Sequence, residues 1–504
     1  MFRDARGIEE GSLIERDLCV IGAGAVGITL ALELADGPHS VCLLESGGIQ
    51  ADAAGQELST GELFSNFVPA ASNYVGSTRL RHFGGSTNHW TGFCRPLDPI
   101  DFEARPWIPH SGWPFDHTQL EPYYGQAAAL LEIHPWDYAL ETLAPERGRP
   151  LRFEPATPLE THTWHFSDPP TRFGPKHRDR LATARRIEVF LHANAVELVP
   201  NRDATRIESV EVATLGGRRF RVKARHFVLA AGGLENPRLL LLSKRGGERG
   251  LGNAHDLVGR YFMDHLFQLH DPALAAFVGT PEALAFYREP WPEPRLGHPA
   301  LGLLALAPEL QRKHRVPNHA FGRLTPQPPE ARTPLGQLLG AAAASLAGPP
   351  GEPAPSFEAF LGISTEPLPD PSNRVRLGDS RDSLGLRRIR LDWNVTPADC
   401  QGIEQALQVF AAALGQSLRG RVRVRIGPGY DWSRLQISHH HIGTTRMHAD
   451  PKRGVVAANG RVHGLANLYI GGSSVFPTAG HANPTFSIVA LTLRLADHLS
   501  QVLA

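Results

Sequence analysis

Three consecutive histidines near the carboxyl end, His439, His440 and His441, are the residues of this sequence best suited to move a proton. The unperturbed pKa of an imidazole lies near neutrality, so a positioned histidine can take up or release a proton at physiological pH. Neighbouring residues of a strand point to opposite faces, so three in a row do not converge on one ion. The run therefore favours proton transfer, or plain core and loop positions, over metal binding, and we predict no metal site.

A glycine pattern near the amino end has the spacing of a dinucleotide-binding turn. Gly22, Gly24 and Gly27 follow a short apolar strand and lead into a helix rich in alanine and leucine. The first glycine makes the turn, the second lets the backbone approach a pyrophosphate, and the third lets the helix pack on the strand. The free N–H groups at the start of the helix attract phosphates. A second apolar strand ends in Glu45, whose carboxylate suits a ribose diol and repels the 2′-phosphate of NADP. These residues predict a dinucleotide site without choosing between FAD and NAD.

Two further glycine pairs lie where backbone meets a ligand or turns sharply. Gly84 and Gly85 precede small polar residues, and the lack of side chains there suits a backbone lying against a flat ligand. An apolar strand at residues 226–231 ends in a second glycine pair, Gly232-Gly233, and we predict a helix at residues 236–243 after it. This second strand–turn–helix unit is fit to join the same sheet.

Composition excludes several classes of function. Lys and Arg together number 51 and equal the Asp and Glu total, so nothing indicates a nucleic-acid or other polyanionic partner. The four cysteines, Cys19, Cys42, Cys94 and Cys400, lack the spacing of a zinc site, a c-type haem or a disulfide framework.

The amino end is polar and acidic, without the basic and apolar regions of a secretory signal. No apolar run approaches the length of a membrane span. We therefore expect a cytoplasmic protein.

Other elements follow from periodicity and end signals. We predict strands within 187–199, 206–212, 372–393 and 468–470 and a helix at 397–414 that Thr396 caps. A terminal helix at 485–499 is predicted to have Asn483 as its cap and Pro484 at its first position. The Pro/Ala/Gly-rich segment 328–356 indicates a surface insertion or flexible loop, with a lid over the site as the alternative.

Four separated blocks of the sequence together resemble the glucose–methanol–choline (GMC) family of FAD-dependent oxidoreductases. They are the amino-terminal fingerprint through Gly48, the GGSTNHW loop, the FVLAAGGLENPRLLLLS unit, and the HHHIGTTRM…SSVFPTAGHANPT region. The resemblance selects FAD over NAD. It implies an α/β fold with a discontinuous Rossmann-like FAD-binding domain, residues 1–147, 186–262 and 438–504. It also implies an α+β substrate domain, residues 148–185 and 263–437, whose sheet is backed by helices.

The resemblance also assigns the catalytic residues. The family's base lies three residues before the Gly of a Gly-Thr pair, here Gly443-Thr444, which selects His440. The second family position, an Asn or His before the terminal helix, matches Asn483, whose amide can donate a hydrogen bond to a developing alkoxide. Read from the residues alone, His440 is a core or loop histidine and Asn483 a helix cap.

Cofactor contacts are implied by position in the same way. Val196 is expected to meet the adenine through its backbone, with Gly232 near the same half of the cofactor. Gly472 stands where many family members carry an Asp near the pyrophosphate, a departure that puts this contact in question. The remaining residues expected to bind the cofactor are Asn88, His89, Ser473, Asn483, Pro484 and Thr485.

His89 occupies the place at which some family members join a histidine covalently to the flavin 8α carbon, and its Thr-Asn-His-Trp setting resembles pyranose 2-oxidases. A covalent link is one interpretation and simple packing near the isoalloxazine is the other. His481 is close enough in sequence to touch a substrate, with a solvated loop position as the alternative.

The resemblance implies oxidation of an alcohol to a carbonyl, with a sugar, polyol or other hydroxylated small molecule as the substrate. Oxygen, a quinone or a partner protein all fit as the electron acceptor. The alternative is a flavoprotein of the same fold with non-oxidative chemistry, a lyase or a decarboxylase; an NAD-linked dehydrogenase is a third reading.

Overall fold

The computed structural model describes residues 1–69, 72–143, 150–151, 153, 158–245, 247–268, 273–278, 284–326, 356–426, 430–432 and 435–504. Apart from its last residue, the Pro/Ala/Gly-rich segment 328–356 lies outside these described residues. Within the described part of the chain, no helix combines the length and hydropathy that crossing a bilayer demands.

An eight-stranded sheet holds the amino-terminal glycine turn. Its strands are β1 (Phe2–Asp4), β2 (Leu13–Ile21), β3 (Val41–Leu44), β7 (Ile187–Leu191), β8 (Asn194–Pro200), β9 (Ile207–Ala213), β10 (Arg219–Leu229) and β21 (Leu468–Ile470). The order is β1-β7-β3-β2-β10-β9-β8, and β21 pairs with the carboxyl end of β10. Along the sheet, β1, β7, β3, β2 and β10 pair in parallel, and β21 pairs with β10 in parallel. Strands β10, β9 and β8 form an antiparallel meander. Parallel strands bring their carboxyl ends to one edge, where ligands bind in open α/β sheets.

A ten-stranded antiparallel sheet forms the second layer. Its strands are β5 (Phe93–Cys94), β6 (Leu159–Phe166), β11 (Leu266–Gln268), β12 (Ala273–Val278), β13 (Trp291–Glu293), β14 (His298–Leu306), β15 (Ala320–Pro326), β16 (Ser356–Ser364), β19 (Gly420–Val424) and β20 (Gln436–Ile437). The ring of Phe321 in this sheet stacks on Phe410 of a long helix at 4.3 Å between centroids, so a helix covers one face. A small third sheet contains β4 (Gly61–Phe64), β17 (Arg374–Arg381) and β18 (Arg387–Asp392).

Ten α-helices lie among the described residues. They are α1 (Ala25–Glu33), α2 (Ala53–Glu57), α3 (Tyr74–Ser77), α4 (Pro99–Phe102), α5 (Glu121–Leu130), α6 (Phe173–Thr183), α7 (Gly232–Leu242), α8 (Pro308–His314), α9 (Pro397–Gln416) and α10 (Thr485–Leu503). Helix α1 packs against α6 and α10 over the first sheet, and α9 packs over the second. Thr396 caps α9, as predicted, and Asp399 completes a capping box with it.

The glycine turn after β2 has the predicted local geometry. Gly22 has φ of +109°, a conformation that favours glycine. A Cβ on Gly27 would lie 1.9 Å from the carbonyl oxygen of Gly22, so only glycine lets α1 approach the turn this closely. The parallel sheet that carries this turn and the second sheet covered by a helix confirm the predicted fold class. The domain boundaries stay a prediction.

One predicted helix start and one predicted helix cap are wrong. Helix α7 begins at Gly232, four residues before its predicted start, even though Pro237 lies inside it. The carbonyl of Gly233, which Pro237 leaves without an intrahelical donor, accepts the hydroxyl of Thr444 at 2.6 Å. At α10, Pro484 is the N-cap and no side chain caps the helix, because Asn483 points elsewhere.

Candidate active site

A cavity of about 410 Å³ opens at the carboxyl ends of the parallel strands. Ile21, Leu44 and Ala230, which end or directly follow β2, β3 and β10, form part of its wall. The histidine run and the start of α10 form another part. The cavity therefore joins the predicted dinucleotide turn to the predicted catalytic residues.

The wall at the glycine turn fits the pyrophosphate of a dinucleotide. Gly24 is the N-cap of α1 and makes no side-chain cap, so the first N–H groups of the helix have no side-chain partner there. A Cβ on Gly85 would lie 3.1 Å from the Cα of Gly24, so the GGSTNHW loop meets the turn backbone to backbone. Glycines at both places leave the room that a bound phosphate needs.

Glu45 is buried at the end of β3 and lines the same cavity. Its carboxylate accepts the N–H of Ala23 at 3.1 Å and the N–H of Gly47 at 2.9 Å. The side chain thus ties the glycine turn to the second strand. A hydrogen bond from a ribose diol to its remaining acceptor sites stays a prediction.

Most of the predicted site residues come together on this wall. Those that line the cavity are Gly22, Gly24, Glu45, Gly85, His89, Gly232, His440, Gly472, Ser473, Asn483, Pro484 and Thr485.

Four predicted cofactor residues lie outside the cavity wall. Gly27 packs beneath the turn, and Gly84 lies against the backbone of residue 174. The amide of Asn88 turns away and donates to the carbonyl of Phe83 at 3.0 Å. Val196 is buried, and residues 193–195 line the cavity in its place.

The three histidines occupy three different environments. His439 is exposed on the cavity wall, His440 is half-buried, and His441 is buried with its Nε2 2.9 Å from the hydroxyl of Thr78. Burial lowers the pKa of His441 to about 3. The three rings lie in different places although the histidines are outside any strand and His439 has φ of +63°, and His440 is the ring with a partner on each side.

The partners of His440 are His265 and Asn483. Its Nδ1 lies 2.8 Å from Nδ1 of His265, and its Nε2 lies 3.2 Å from the amide nitrogen of Asn483. Nε2 of His265 lies 3.0 Å from the carbonyl oxygen of Gly480. These contacts form a chain from backbone carbonyl to cavity wall.

Hydrogen-bond chemistry fixes the protons of this chain. A carbonyl oxygen only accepts, so Nε2 of His265 donates to Gly480, and a neutral His265 then has a bare Nδ1. Nδ1 of His440 must donate to that bare nitrogen, which leaves Nε2 of His440 bare in turn. The amide of Asn483 donates to Nε2. The geometry therefore presents a neutral imidazole at the cavity wall, whose unprotonated Nε2 accepts from Asn483.

Burial keeps both rings neutral. It lowers the pKa of His265 to about 4. The pKa of His440 lies well below its usual value, mainly through burial and further through the neighbouring His265. A proton taken up by His440 is therefore held weakly and is easily passed on.

Asp264 supports the loop that carries His440. Its carboxylate accepts the N–H of His440 at 2.7 Å, the N–H of His439 at 2.9 Å and the hydroxyl of Tyr74 at 2.8 Å. Burial raises the pKa of this carboxyl to about 7, and the donors that converge on it oppose the rise. Sequence reasoning missed Asp264 and His265. The adjacent acid and histidine directly after a predicted domain boundary were the available signal.

Two other predicted residues are placed clearly. His89 lies on the cavity wall, and partial desolvation of its ring lowers its pKa. Both the covalent and the packing interpretations stay open. His481 is buried rather than solvated, with its Nε2 3.2 Å from the carboxylate of Asp98.

Two groups of described residues place potential metal-ligand atoms within 4.8 Å of one another. One group is Asp264, His265 and His440, and the other is Asp98, His162 and His481. In the first group the facing nitrogens of the two histidines share a hydrogen bond, which accounts for their proximity. In the second, Arg95 donates to both Asp98 and His162.

Two family models match the chain. A model for FAD dependent oxidoreductases matches residues 17–247, and a model for GMC oxidoreductases matches residues 369–492. The 2-methyl-1,2-propanediol dehydrogenase of Mycolicibacterium austroafricanum is 25% identical, over 97% of this chain and 95% of its own length. Paromamine 6'-oxidase of Streptomyces fradiae is 26% identical, over 95% of this chain and 90% of its own length.

Solved structures share the fold across the whole chain. Formate oxidase aligns with a TM-score of 0.56 at 14% identity, over 98% of this chain and 99% of its own. Pyridoxine 4-oxidase from Mesorbium loti aligns with a TM-score of 0.52 at 19% identity, over 96% and 99%. These matches confirm the predicted resemblance to the GMC oxidoreductases, and the chain is an FAD-dependent oxidoreductase, which confirms the predicted enzyme class and cofactor.

Proposed function

We propose that this enzyme oxidises the hydroxyl-bearing carbon of a small molecule to a carbonyl, and that His440 takes the hydroxyl proton. The observation that carries this proposal is the bare Nε2 of His440 at the cavity wall, which the His265 chain fixes. A base of this kind is required because an alcohol becomes a carbonyl only when its carbon loses a hydride and its oxygen loses a proton.

The described residues divide the work between them. Bound FAD would supply the acceptor for the hydride at its N5 atom. Nε2 of His440 accepts the hydroxyl proton, and Nδ1 of the resulting cation keeps its hydrogen bond to His265. The amide of Asn483, at 3.2 Å from Nε2, can turn its N–H to the substrate oxygen as negative charge develops there. The glycines of the turn and Glu45 hold the dinucleotide end of the cofactor.

Names of the relatives favour an alcohol substrate. One acts on 2-methyl-1,2-propanediol and another on the 6' position of paromamine, as their names state. A polyol, a sugar or a related hydroxylated compound is therefore our proposed substrate class, and oxygen, a quinone or a partner protein is the proposed acceptor.

Anaerobic mixing of the FAD-loaded enzyme with a panel of alcohols tests the proposal. Bleaching of the oxidised flavin band by at least one alcohol supports oxidation. Absence of bleaching across diols, sugars and aromatic alcohols contradicts it and favours lyase or decarboxylase chemistry. Air is then admitted to the bleached enzyme: rapid return of the colour identifies oxygen as an acceptor, and slow return selects a quinone or a protein.

The same preparation tests the proposed link through His89. After acid precipitation, a yellow pellet supports a covalent bond to the flavin. A colourless pellet under a yellow supernatant contradicts the bond and leaves His89 as a packing residue.

A further inference from the structure

Arg323 is a cation without a counter-ion among the described residues. Its side chain is half-buried, and no hydrogen bond or ion pair joins it to another described residue. Burial lowers its pKa. A guanidinium placed in this way has lost part of its hydration, and among the described residues it contacts aromatic rings but no hydrogen-bond acceptor, so its N–H donors can serve a ligand.

A β-bulge turns Arg323 toward the cavity side of the second sheet. Phe321 lies on the face that helix α9 covers, so regular alternation would place residue 323 on that same face. The pairing of β15 with β16 shifts register between residues 322 and 325, and Arg323 has φ of +50°. Its guanidinium instead lies 5.8 Å from the ring centre of Phe93, which packs on the opposite face. Bulges next to active sites commonly re-aim a side chain in this way.

Two aromatic rings position the guanidinium beside the active-site cavity. Phe93 lines the cavity. Phe267 lies on β11, and its ring centre is 5.7 Å from the guanidinium of Arg323. Strand β11 also pairs with β20, which leads directly into the histidine run. The cation is therefore held in the part of the sheet that borders the proposed catalytic base.

Among the described residues, no acid on the neighbouring cavity wall balances the charge of Arg323. The acids that line the cavity are Glu45, Glu235 and Asp382. Glu45 is bonded to the glycine turn, and the other two are paired with Arg238 in salt bridges. An anion that enters beside Phe93 therefore meets an attractive charge without a competing carboxylate.

We propose that Arg323 binds an oxyanion of the substrate, so that the preferred substrate is an alcohol that also carries a carboxylate or phosphate group. The planar fork of the guanidinium matches either group, and the two rings keep it in place. This inference rests on the proposed oxidation of an alcohol and narrows its substrate class.

Binding without turnover tests the inference independently of the reaction. The oxidised holoenzyme is titrated with benzoate, with inorganic phosphate and with neutral benzamide, and the change in flavin absorbance gives each Kd. We expect Arg323→Gln to raise the Kd of benzoate or phosphate by about 10-fold or more, with Arg323→Lys intermediate and benzamide unchanged. Oxyanion Kd values that are equal in wild type and Arg323→Gln overturn the inference.

Turnover of matched neutral and anionic alcohols distinguishes failure of the Arg323 inference from failure of the proposed function. The pairs are benzyl alcohol with 4-(hydroxymethyl)benzoate, glucose with glucuronate, and glycerol with glycerol 3-phosphate. We expect kcat/KM to favour an anionic member, mainly through KM, and Arg323→Gln to abolish the preference. The control Arg425→Gln removes another guanidinium stacked on a ring of this sheet, 5.6 Å from Phe360, and should preserve it. If only the neutral members are oxidised, the inference about Arg323 is overturned and the proposed function stands. If no alcohol is oxidised, the proposed function is overturned, and the binding experiment alone decides whether Arg323 binds an oxyanion.

Discussion

Replacing His265 with alanine removes the group that fixes the proton on His440. The bare Nδ1 of His265 is the acceptor for Nδ1–H of His440 at 2.8 Å. When His440 takes the substrate proton it becomes a cation, and this hydrogen bond becomes charge-assisted. In His265→Ala the donor loses its acceptor, and the ring is free to expose a protonated nitrogen to the cavity.

The magnitude follows from the change in charge at His440. A hydrogen bond to a charged group contributes about 1.5–3 kcal/mol. Because the cation forms only during the reaction, the loss raises the barrier, and kcat should fall about 10- to 150-fold with little change in KM. The Oδ1 atom of an asparagine can occupy the place of the imidazole Nδ1, so His265→Asn should recover part of the loss.

Stopped-flow flavin reduction under nitrogen measures this step directly in enzyme with matched FAD content. His298→Ala is the control, because His298 is also buried and its Nε2 lies 3.1 Å from the carbonyl oxygen of Ile133. It should lose stability while its reduction rate stays within about twofold of the wild type. An unchanged rate in His265→Ala, or an equal fall in His298→Ala, would refute the proposed orientation of His440.

Three further outcomes test the fold and its charges. Gly27→Ala places a Cβ 1.9 Å from a backbone oxygen and should abolish FAD retention, whereas Gly7→Ala, with nothing within 4 Å, should retain FAD; absorbance of the purified proteins decides. Arg105→Met leaves the buried carboxylate of Glu366 unpaired and should lower the free energy of unfolding by about 3–5 kcal/mol, part of which Glu366→Gln restores in the double variant. The pKa of Asp264 is raised from 3.8 to about 7, so the folded chain holds this proton more tightly and the resulting stability is lost as the pH rises through that window. As the pH rises from 3.8 to about 7, the wild type should lose about 4 kcal/mol of unfolding free energy relative to Asp264→Asn. An equal pH dependence of unfolding free energy in the two proteins would contradict this.

Local features were predictable because their causes are local. The turn at Gly22 follows from a positive φ that favours glycine, and the close packing at Gly27 avoids a clash with the nearby carbonyl of Gly22. The capping box at Thr396 is equally short-range. The predicted cap at Asn483 was wrong because a tertiary partner, His440, takes its amide.

Long-range pairing explains what the sequence did not reveal. His265 lies 175 residues from His440 and reaches it only because β11 pairs with β20. The helix after β10 starts early because Thr444 satisfies the carbonyl that a proline left free. The bulge at Arg323 reverses the facing of one side chain, which no alternation pattern predicts.

The measurement that bears most directly on the central claim is the rate of anaerobic flavin reduction by an accepted alcohol in His440→Asn, with FAD content equal to that of the wild type. Loss of the proton-accepting Nε2 should slow reduction by about 100- to 10,000-fold while FAD stays bound. A rate within a few-fold of the wild type would show that another group takes the proton.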